Sequence, residues 1–253
     1  MRYAKGSLVI NVERDVPLLR QVRNSKFVSH HQLFELMKLG GFDRSRNSFN
    51  WRLKRLLDSH HIVTCQGVHG AGSAVYRVTK DGIMLLEHYG QFTAVLQSNT
   101  EHLPHLSQVF HALELNAVQL ALAHANMLAG WQTELEIASF NTISRAPYQK
   151  DYDAVVDVWI GERIARFALE YERTLKSSKQ YEHIRAALEA EQQIEFILYL
   201  TSGMEILVHL LRELRAVRKK LAFASATTFE RHLLDTVVTG QDGISARFWD
   251  LLQ

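Results

Sequence analysis

The sequence predicts a mixed α/β chain built from two domains, and three observations predict this class. Residues 1–92 are basic, with 14 Lys and Arg against 7 Asp and Glu, whereas residues 93–253 are acidic, with 15 against 20. The basic part shows helical periodicity followed by a glycine-tipped pair of short strands. The acidic part alternates strands with helices, which is typical of α/β architecture. The opposite charges of the two parts indicate two separate roles.

The composition excludes several classes of protein. A hydrophobic fraction of 47% and a charged fraction of 22% are typical of a folded globular chain, not of a disordered one. The single cysteine, Cys65, excludes an internal disulfide framework and any multi-cysteine zinc or iron–sulfur site. The first residues contain no apolar run of the length of a signal peptide, and charged residues interrupt the most apolar stretch, 194–211. We therefore expect a cytoplasmic protein without a membrane partner.

The basic part is expected to contain three helices, a two-stranded hairpin and a closing helix. Ser29 is placed to cap the second helix, and Gly40 and Gly41 are placed to end it. The third helix is expected to start at Ser45 or Asn47. The expected helices are 13–25, 30–39, 45–60 and 79–89, and the expected strands are 62–66 and 74–79.

The third helix separates an apolar face from a polar one. At about 100° per residue, its apolar residues fall within one stripe, and cations, amides and one aromatic ring lie opposite or beside them. Such a helix suits the major groove of DNA, where Arg and Asn pair with base edges and Lys holds phosphates. The residues expected to read bases are Asn47, Ser48, Trp51, Arg52 and Arg55. The residues expected near phosphates are Arg44, Lys54, His69 and Arg77.

The order helix, helix, polar-faced helix and glycine-tipped hairpin resembles a winged helix–turn–helix domain. This resemblance, together with the positive charge, favours binding of double-stranded DNA. Two alternatives stay open at this point. The winged helix could serve protein contacts only, or the basic face could be an ordinary solvated surface.

A long apolar segment connects the two parts. Residues 103–128 contain no glycine, and their one proline, Pro104, suits the first turn of a helix. A helix that is apolar on several sides is expected to be buried as the first helix of the second domain, as a dimer contact, or as both. Because winged-helix proteins often read palindromic sites as dimers, we expect a homodimer. The expected divisions of the chain are 1–92, 93–130 and 131–253.

The acidic part is expected to form an α/β domain around a mixed sheet. The expected strands are 131–140, 152–160, 163–172, 194–202 and 220–226, and the expected helices are 179–193 and 204–218. No GxGxxG or GxxxxGK phosphate loop occurs, and no GxSxG nucleophile elbow occurs. The sequence therefore does not favour a nucleotide-binding or serine-hydrolase site.

Carboxylates are the remaining candidates for chemistry in this part. Asp153 opens one expected strand, and Glu170 and Glu172 share one side of the returning strand. Because neighbouring strands lie about 5 Å apart, Asp153 and Glu170 are expected to converge on one cation. Carboxylate oxygens are suitable ligands for Mg²⁺ or Mn²⁺, so one of these ions is expected there. Glu134 and Glu136 are expected on the preceding strand, where they would complete the coordination of this cation.

An acidic residue on one strand followed by E-x-basic on the next resembles the layout of PD-(D/E)xK nucleases. The chain departs from it, because Tyr152 replaces the usual proline and Glu172 replaces the usual lysine, which leaves Lys176 to reach back. Three interpretations stay open. The domain is a Mg²⁺- or Mn²⁺-dependent nuclease or nickase, a silent nuclease-like domain for dimerisation or partner binding, or a fold whose acids form surface ion pairs. The partners in that third interpretation are Arg163, Arg166, Arg173 and Lys176. The residues of the catalytic interpretation are Asp153, Glu170, Glu172 and Lys176, with the metal on Asp153 and Glu170.

Most of the chain after residue 15 resembles the replication-relaxation family of plasmids, integrative elements and phages. The features that carry this resemblance are YRVTKDG, HALELNAV, Trp131 with Glu134, YDAVVDVWI and ALEYERTLKSSKQYEHI. In the last of them, the residues similar to the family pattern are Glu170, Glu172, Thr174, Lys179 and Tyr181. The resemblance implies a DNA-binding protein of a mobile element, with a restriction-endonuclease-like second domain. It implies a role in plasmid replication or mobilisation. Two alternatives stay open beside it: transcriptional control as the output, and a pure adaptor that binds a relaxase or replication initiator through the acidic part.

Overall fold

The computed structural model describes residues 9–68, 70–94 and 105–253. It divides into two compact units whose boundary, between Asn116 and Ala117, lies inside one helix. No helix within these described ranges has both the length and the apolar character needed to cross a bilayer.

The N-terminal unit combines helices with a small antiparallel sheet of strand order β1-β3-β2. Its elements are α1 (Asp15–Asn24), β1 (Val28–Ser29), α2 (His30–Leu39), α3 (Arg46–Asp58), β2 (Ile62–Thr64), β3 (Val75–Val78) and α4 (Lys80–His88). Leu18, Leu33 and Phe49, from three different helices, are completely buried in its core. The expected order of three helices, hairpin and closing helix is confirmed, and β1 is a further strand that joins the hairpin.

Local capping signals explain where these helices begin and end. Ser29 Oγ accepts a hydrogen bond from the Gln32 amide at 3.2 Å, and the Gln32 side chain accepts one from the Ser29 amide. Gly41 follows α2 with φ of +75°, a conformation that suits glycine. Ser45 caps α3 by accepting a hydrogen bond from the Ser48 amide at 3.2 Å. The predictions for the start of α2 and its glycine end, and for Ser45 at the start of α3, are confirmed.

Helix α5 (Leu106–His124) crosses the boundary between the units. Its first half packs on the N-terminal unit, where the Gln32 side chain donates to the Leu113 carbonyl at 2.6 Å and the Asn116 side chain donates to the Phe27 carbonyl at 2.8 Å. The prediction that this helix extends to residue 128 is wrong. It ends at His124, and the chain turns through Asn126 at φ of +57°. Residues 103 and 104 lie outside the described residues.

The C-terminal unit is built on a seven-stranded mixed sheet of order β10-β9-β8-β7-β6-β5-β4. Strands β6, β7 and β8 are parallel, and the other neighbours are antiparallel. This confirms the predicted mixed α/β class. Its strands are β4 (Leu128–Thr133), β5 (Ala154–Ile160), β6 (Arg163–Glu172), β7 (Phe196–Thr201), β8 (Lys220–Ser225), β9 (Val237–Gly240) and β10 (Ser245–Arg247). Its helices after α5 are α6 (Glu134–Ile143), α7 (Ser178–Ala190), α8 (Met204–Glu213), α9 (Ala226–His232) and α10 (Phe248–Leu251).

Helices cover both faces of this sheet, which explains why its central strands are apolar on both sides. On one face, Ala168 and Ile197 pack in a cluster with residues of α6, α7 and α8. On the other face, Phe248 of α10 contacts Phe167 and Phe196, with ring centroids 5.0 and 5.5 Å apart. The carboxyl ends of the parallel strands therefore emerge between two helical layers.

The prediction of one strand over residues 131–140 is wrong beyond its first three residues. Strand β4 ends at Thr133, and α6 begins at Glu134. Glu136 Oε2 accepts hydrogen bonds from the Thr133 amide at 2.9 Å and from its hydroxyl at 2.8 Å, which forms a helix cap. Glu134 and Glu136 therefore lie in the first turn of a helix and not on a strand beside the predicted metal site.

Candidate functional site

The exposed face of α3 is the first candidate site. Asn47, Asn50, Trp51 and Lys54 recur at intervals of three and four residues and are all exposed. Their positions follow from Phe49, Leu53 and Leu56 on the opposite side, which are buried in the core of the N-terminal unit. We call these four exposed residues the α3 face.

Arg52 does not belong to the α3 face, so the prediction that it reads bases is wrong for this structure. Only 4% of the residue is exposed. Its guanidinium donates to Asp43 Oδ1 at 3.2 Å, and its Nε lies 3.8 Å from Asp15 Oδ1. Asp43 also accepts a hydrogen bond from Arg14 at 3.0 Å. Buried charges require partners, and Arg52 serves as the partner of two buried carboxylates.

Arg55 and Ser48, two other predicted base readers, are also engaged within the unit. Arg55 lies 3.7 Å from Asp15 Oδ2 and donates to the Val9 carbonyl. The Ser48 hydroxyl accepts hydrogen bonds from Arg14 at 3.2 Å and from Arg52 at 3.3 Å. Both side chains therefore connect α3 to α1 and to the residues before it.

Trp51 belongs to the α3 face, and 63% of it is exposed. The Arg55 guanidinium stacks over its ring, 4.5 Å from the ring centroid, in a cation–π contact. Asn47 and Trp51 are thus placed as predicted, on a surface accessible to a ligand. That they contact DNA stays a prediction.

Cations surround the α3 face. Arg44 is exposed just before α3, and Arg46 stacks on the Phe34 ring at 4.5 Å. Lys54 forms an exposed ion pair with Asp58 at 2.7 Å, an arrangement that contributes little to stability. Arg77 lies on β3 opposite Val63 of β2. His69 lies outside the described residues.

The sequence analysis missed Asn50, whose side chain hydrogen-bonds His30 of α2. Its position, three residues after Asn47 and four before Lys54, was a usable signal for the α3 face.

The predicted carboxylates meet at the end of β6, as the sequence analysis proposed. Asp153 comes just before β5, and its Oδ2 accepts a hydrogen bond from the Tyr171 amide at 2.7 Å. Glu170 and Glu172 lie on the same strand, 5% and 4% exposed, next to Tyr199 and Thr201 of the parallel strand β7. We call Asp153, Glu170 and Glu172 the carboxylate cluster.

Lysines neutralise this cluster, and the sequence analysis missed one of them. Lys150 Nζ lies 2.7 Å from Glu170 Oε2. Lys176 forms an ion pair with Glu172. Lys150 precedes Asp153 by three residues, and nothing in the local sequence indicates that its ammonium turns toward β6.

Burial raises the pKa of Glu170 to about 7, against the lowering effect of Lys150, and the neighbouring Asp153 and Glu172 raise it further. Burial lowers the pKa of Lys150, but the Glu170 charge and hydrogen bond outweigh it and leave that pKa above its ordinary value. The hydroxyl of Tyr199 and Glu170 Oε1 are buried without a hydrogen-bond partner among the described residues. Glu170 is therefore buried at the end of the sheet, whereas the Lys150 side chain that pairs with it is 18% exposed.

The carboxylate cluster does not fit the predicted Mg²⁺ or Mn²⁺ ion in this arrangement. An ammonium group already sits at Glu170 and another at Glu172, and Asp153 accepts a main-chain amide. Within the described ranges, no group of three or more His, Cys, Asp or Glu side chains is arranged to hold a metal. Lys176, predicted as a catalytic residue, serves here as the partner of Glu172.

The third interpretation of the acids, surface ion pairing, named Lys176 and Arg166 among the partners. Lys176 does pair with Glu172, but that carboxylate is buried, whereas the pair of Arg166 lies with another residue, Asp157. Arg166 donates to both oxygens of Asp157, at 2.7 and 2.8 Å, across the β5–β6 hairpin. Arg163 instead donates to the carbonyls of Leu252 and Gln253. The cluster at the end of β6 is buried, and its ion pairs are with lysines.

Comparison with known proteins gives no family. No protein-family model matches the chain, and no curated protein matches it. Among solved structures, the chain is similar to the restriction endonuclease FokI bound to DNA, with 12% identity and a TM-score of 0.27 over 87% of this chain. The matched region is 43% of the FokI chain, so this chain spans less than half of that protein. A TM-score this low does not establish a shared fold.

Proposed function

We propose that the protein binds double-stranded DNA in a sequence-specific way through a winged helix–turn–helix in its N-terminal unit. The observation that carries this proposal is the α3 face, where two amides, an indole and an ammonium are exposed on one side of a core-packed helix. A helix of this width fits the major groove, in which amides pair with adenine edges and cations approach phosphates.

Charge and topology support the same proposal. Residues 1–92 carry seven more basic than acidic residues, and Arg44 and Arg46 flank the α3 face. In the proposed complex, α3 enters the groove, the β2–β3 hairpin acts as the wing, and Arg77 approaches the backbone. A positive surface attracts the phosphates, and this attraction weakens with salt.

The two polar ends of the α3 face are expected to respond differently to substitution. Asn47→Ala is expected to cost about 1–3 kcal/mol on the preferred site and to relax the choice of base at one position. Lys54→Ala is expected to weaken all duplexes alike and to reduce the slope of log affinity against log salt by about 1. The affinity is measured by fluorescence anisotropy over a range of salt concentrations. The duplex used is one recovered from a random pool by selection of the fragments that the protein binds.

A matched control for loss of a lysine is Lys220→Ala, which removes an exposed, ion-paired lysine from the C-terminal unit. Its affinity and salt slope should equal those of the wild type. Unchanged binding in both the Asn47 and Lys54 variants would show that α3 is not the interface. The same selection also reports symmetry, because a palindromic site supports the proposed homodimer and a single half-site contradicts it.

The C-terminal unit is proposed to serve dimerisation or partner binding as a nuclease-like domain without cleavage activity. The alternative is a metal-dependent nuclease or nickase that uses Asp153, Glu170 and Glu172. The ammonium groups at Glu170 and Glu172 count against that alternative.

Supercoiled plasmid incubated with the protein and Mg²⁺ or Mn²⁺ decides between them. We expect the plasmid to stay supercoiled with the wild type. Nicking by the wild type that is lost in Asp153→Ala but kept in Asp157→Ala would establish the alternative. Asp157 is the control because it pairs with Arg166 away from the cluster.

The biological setting is proposed from the resemblance to the replication-relaxation family alone. In that setting the protein belongs to a plasmid or another mobile element and acts in replication, mobilisation or transcriptional control. Its protein partner would be a replication initiator or a relaxase. Recovery of such a protein with the tagged full-length chain from its native host would support this proposal.

A further inference from the structure

The indole of Trp51 is held in place before any ligand binds. Arg55 covers one of its faces, and Arg55 is itself tied to Asp15 and to the Val9 carbonyl. Asp15 is buried and accepts a hydrogen bond from the Asn11 amide at 2.8 Å. A side chain that is ordered in the free protein loses less conformational entropy on binding, so its contacts contribute more to affinity.

The chemistry around the ring restricts what it can contact. Trp51 is the apolar member of the α3 face, between Asn47 and Asn50 on one side and Lys54 on the other. In the major groove all four bases present polar atoms, including the O4 acceptor of thymine, but only thymine adds a methyl group. An indole face laid over a polar edge would leave donors or acceptors without partners, which is unfavourable.

We propose that Trp51 is a specificity-determining residue that contacts the 5-methyl group of a thymine in the bound duplex. This inference rests on the proposed DNA-binding function and adds a defined base preference at one position of the site. Asn47 and Lys54, four residues before and three residues after Trp51, then lie about one turn of helix to either side of it along the groove.

The test replaces each thymine of the selected duplex in turn by uracil, which removes only the methyl group. One position is expected to lose about fourfold in affinity for the wild type, the effect of one buried methyl group. In Trp51→Ala this sensitivity should disappear, and alanine keeps the exposed helix intact. Trp159→Ala is the matched control, because it removes another exposed tryptophan, 43% exposed, from the C-terminal unit. It should keep the uracil effect.

Three outcomes overturn the inference. If the wild type binds the duplex and no single replacement of thymine by uracil changes its affinity, the inference is wrong and the proposed function still holds. Tighter binding to the single strand than to the duplex, lost in Trp51→Ala, would show that the ring stacks on unpaired bases instead. Absence of any selected duplex would end the proposed function, and the inference with it.

Discussion

Replacing Arg52 by alanine is expected to destabilise the N-terminal unit by about 3–5 kcal/mol. The guanidinium lies between Asp43 and Asp15, both almost fully buried, and its loss leaves Asp43 with Arg14 and Asp15 with Arg55, two cations that are more exposed than Arg52. Folded domains are stable by about 5–15 kcal/mol, so the change removes a large share of that stability. Urea denaturation should show a lower midpoint, and hydrogen exchange in residues 46–58 should become faster than in the wild type.

Lys54→Ala is the control for this prediction. Lys54 is two residues away on the same helix, but its side chain is 71% exposed and paired only with Asp58. Its loss should cost less than about 0.5 kcal/mol. Equal denaturation midpoints for the Arg52 and Lys54 variants would show that the Asp43–Arg52–Asp15 network does not support the fold.

Lys150→Met is expected to destabilise the C-terminal unit by about 3–5 kcal/mol at pH 8 and much less at pH 5. In the folded wild type the pKa of Glu170 is raised from 4.5 to about 7, so the folded protein holds that proton more tightly than the unfolded chain does. The contribution of Glu170 to the free energy of unfolding therefore falls as the pH rises from about 4.5 to about 7. Without the Lys150 ammonium, the pKa of Glu170 rises further and the fall continues above pH 7.

Two variants test whether the pH-dependent cost of Lys150→Met arises from the Lys150–Glu170 ion pair. Lys220→Met removes the lysine of an exposed ion pair with Glu195 and should cost at most about 1 kcal/mol at either pH. Adding Glu170→Gln to Lys150→Met should restore stability at pH 8, because the carboxylate that Lys150 neutralises is then gone and Glu172 keeps its own partner, Lys176. A cost for Lys150→Met that is equal at pH 5 and pH 8, measured by urea denaturation, would contradict the assignment.

The N-terminal unit shows which elements were predictable from sequence. The start of α2 follows from Ser29 and Gln32, which lie within one turn of its first residue. Its end follows from Gly40 and Gly41, which come directly after its last residue. The same kind of local signal, Thr133 followed by Glu136, marks the start of α6. The strand-forming residues around it led to the wrong prediction there, because propensity is a weaker signal than a cap whose two side chains hydrogen-bond reciprocally.

The candidate sites were predictable only in part. Helical periodicity correctly separated the buried side of α3 from its polar side. It did not distinguish Arg52, which is buried, from Lys54, which is exposed, because both lie at the flanks of the apolar stripe. In the second unit, strand alternation placed Glu170 and Glu172 together, but the identity of their cations depends on how residues 150 and 176 return to the sheet.

The sequence alone determines the opposite charges of the two parts, the mixed α/β class, both ends of α2 and the meeting of the carboxylates. The helix ends and the positions of the carboxylates depend on patterns within one turn of helix or along one strand. Over such short stretches the spacing of residues in the sequence fixes the relative positions of their side chains. Tertiary structure decided which charges are exposed and which are partners of one another. Asp43 and Asp15 hold Arg52 away from the exposed α3 face, and Lys150 pairs with Glu170 where a metal ion was expected. A buried charge without a partner is energetically costly. The folded chain therefore pairs these charges with residues that are distant in sequence, and no local sequence pattern predicts such pairs.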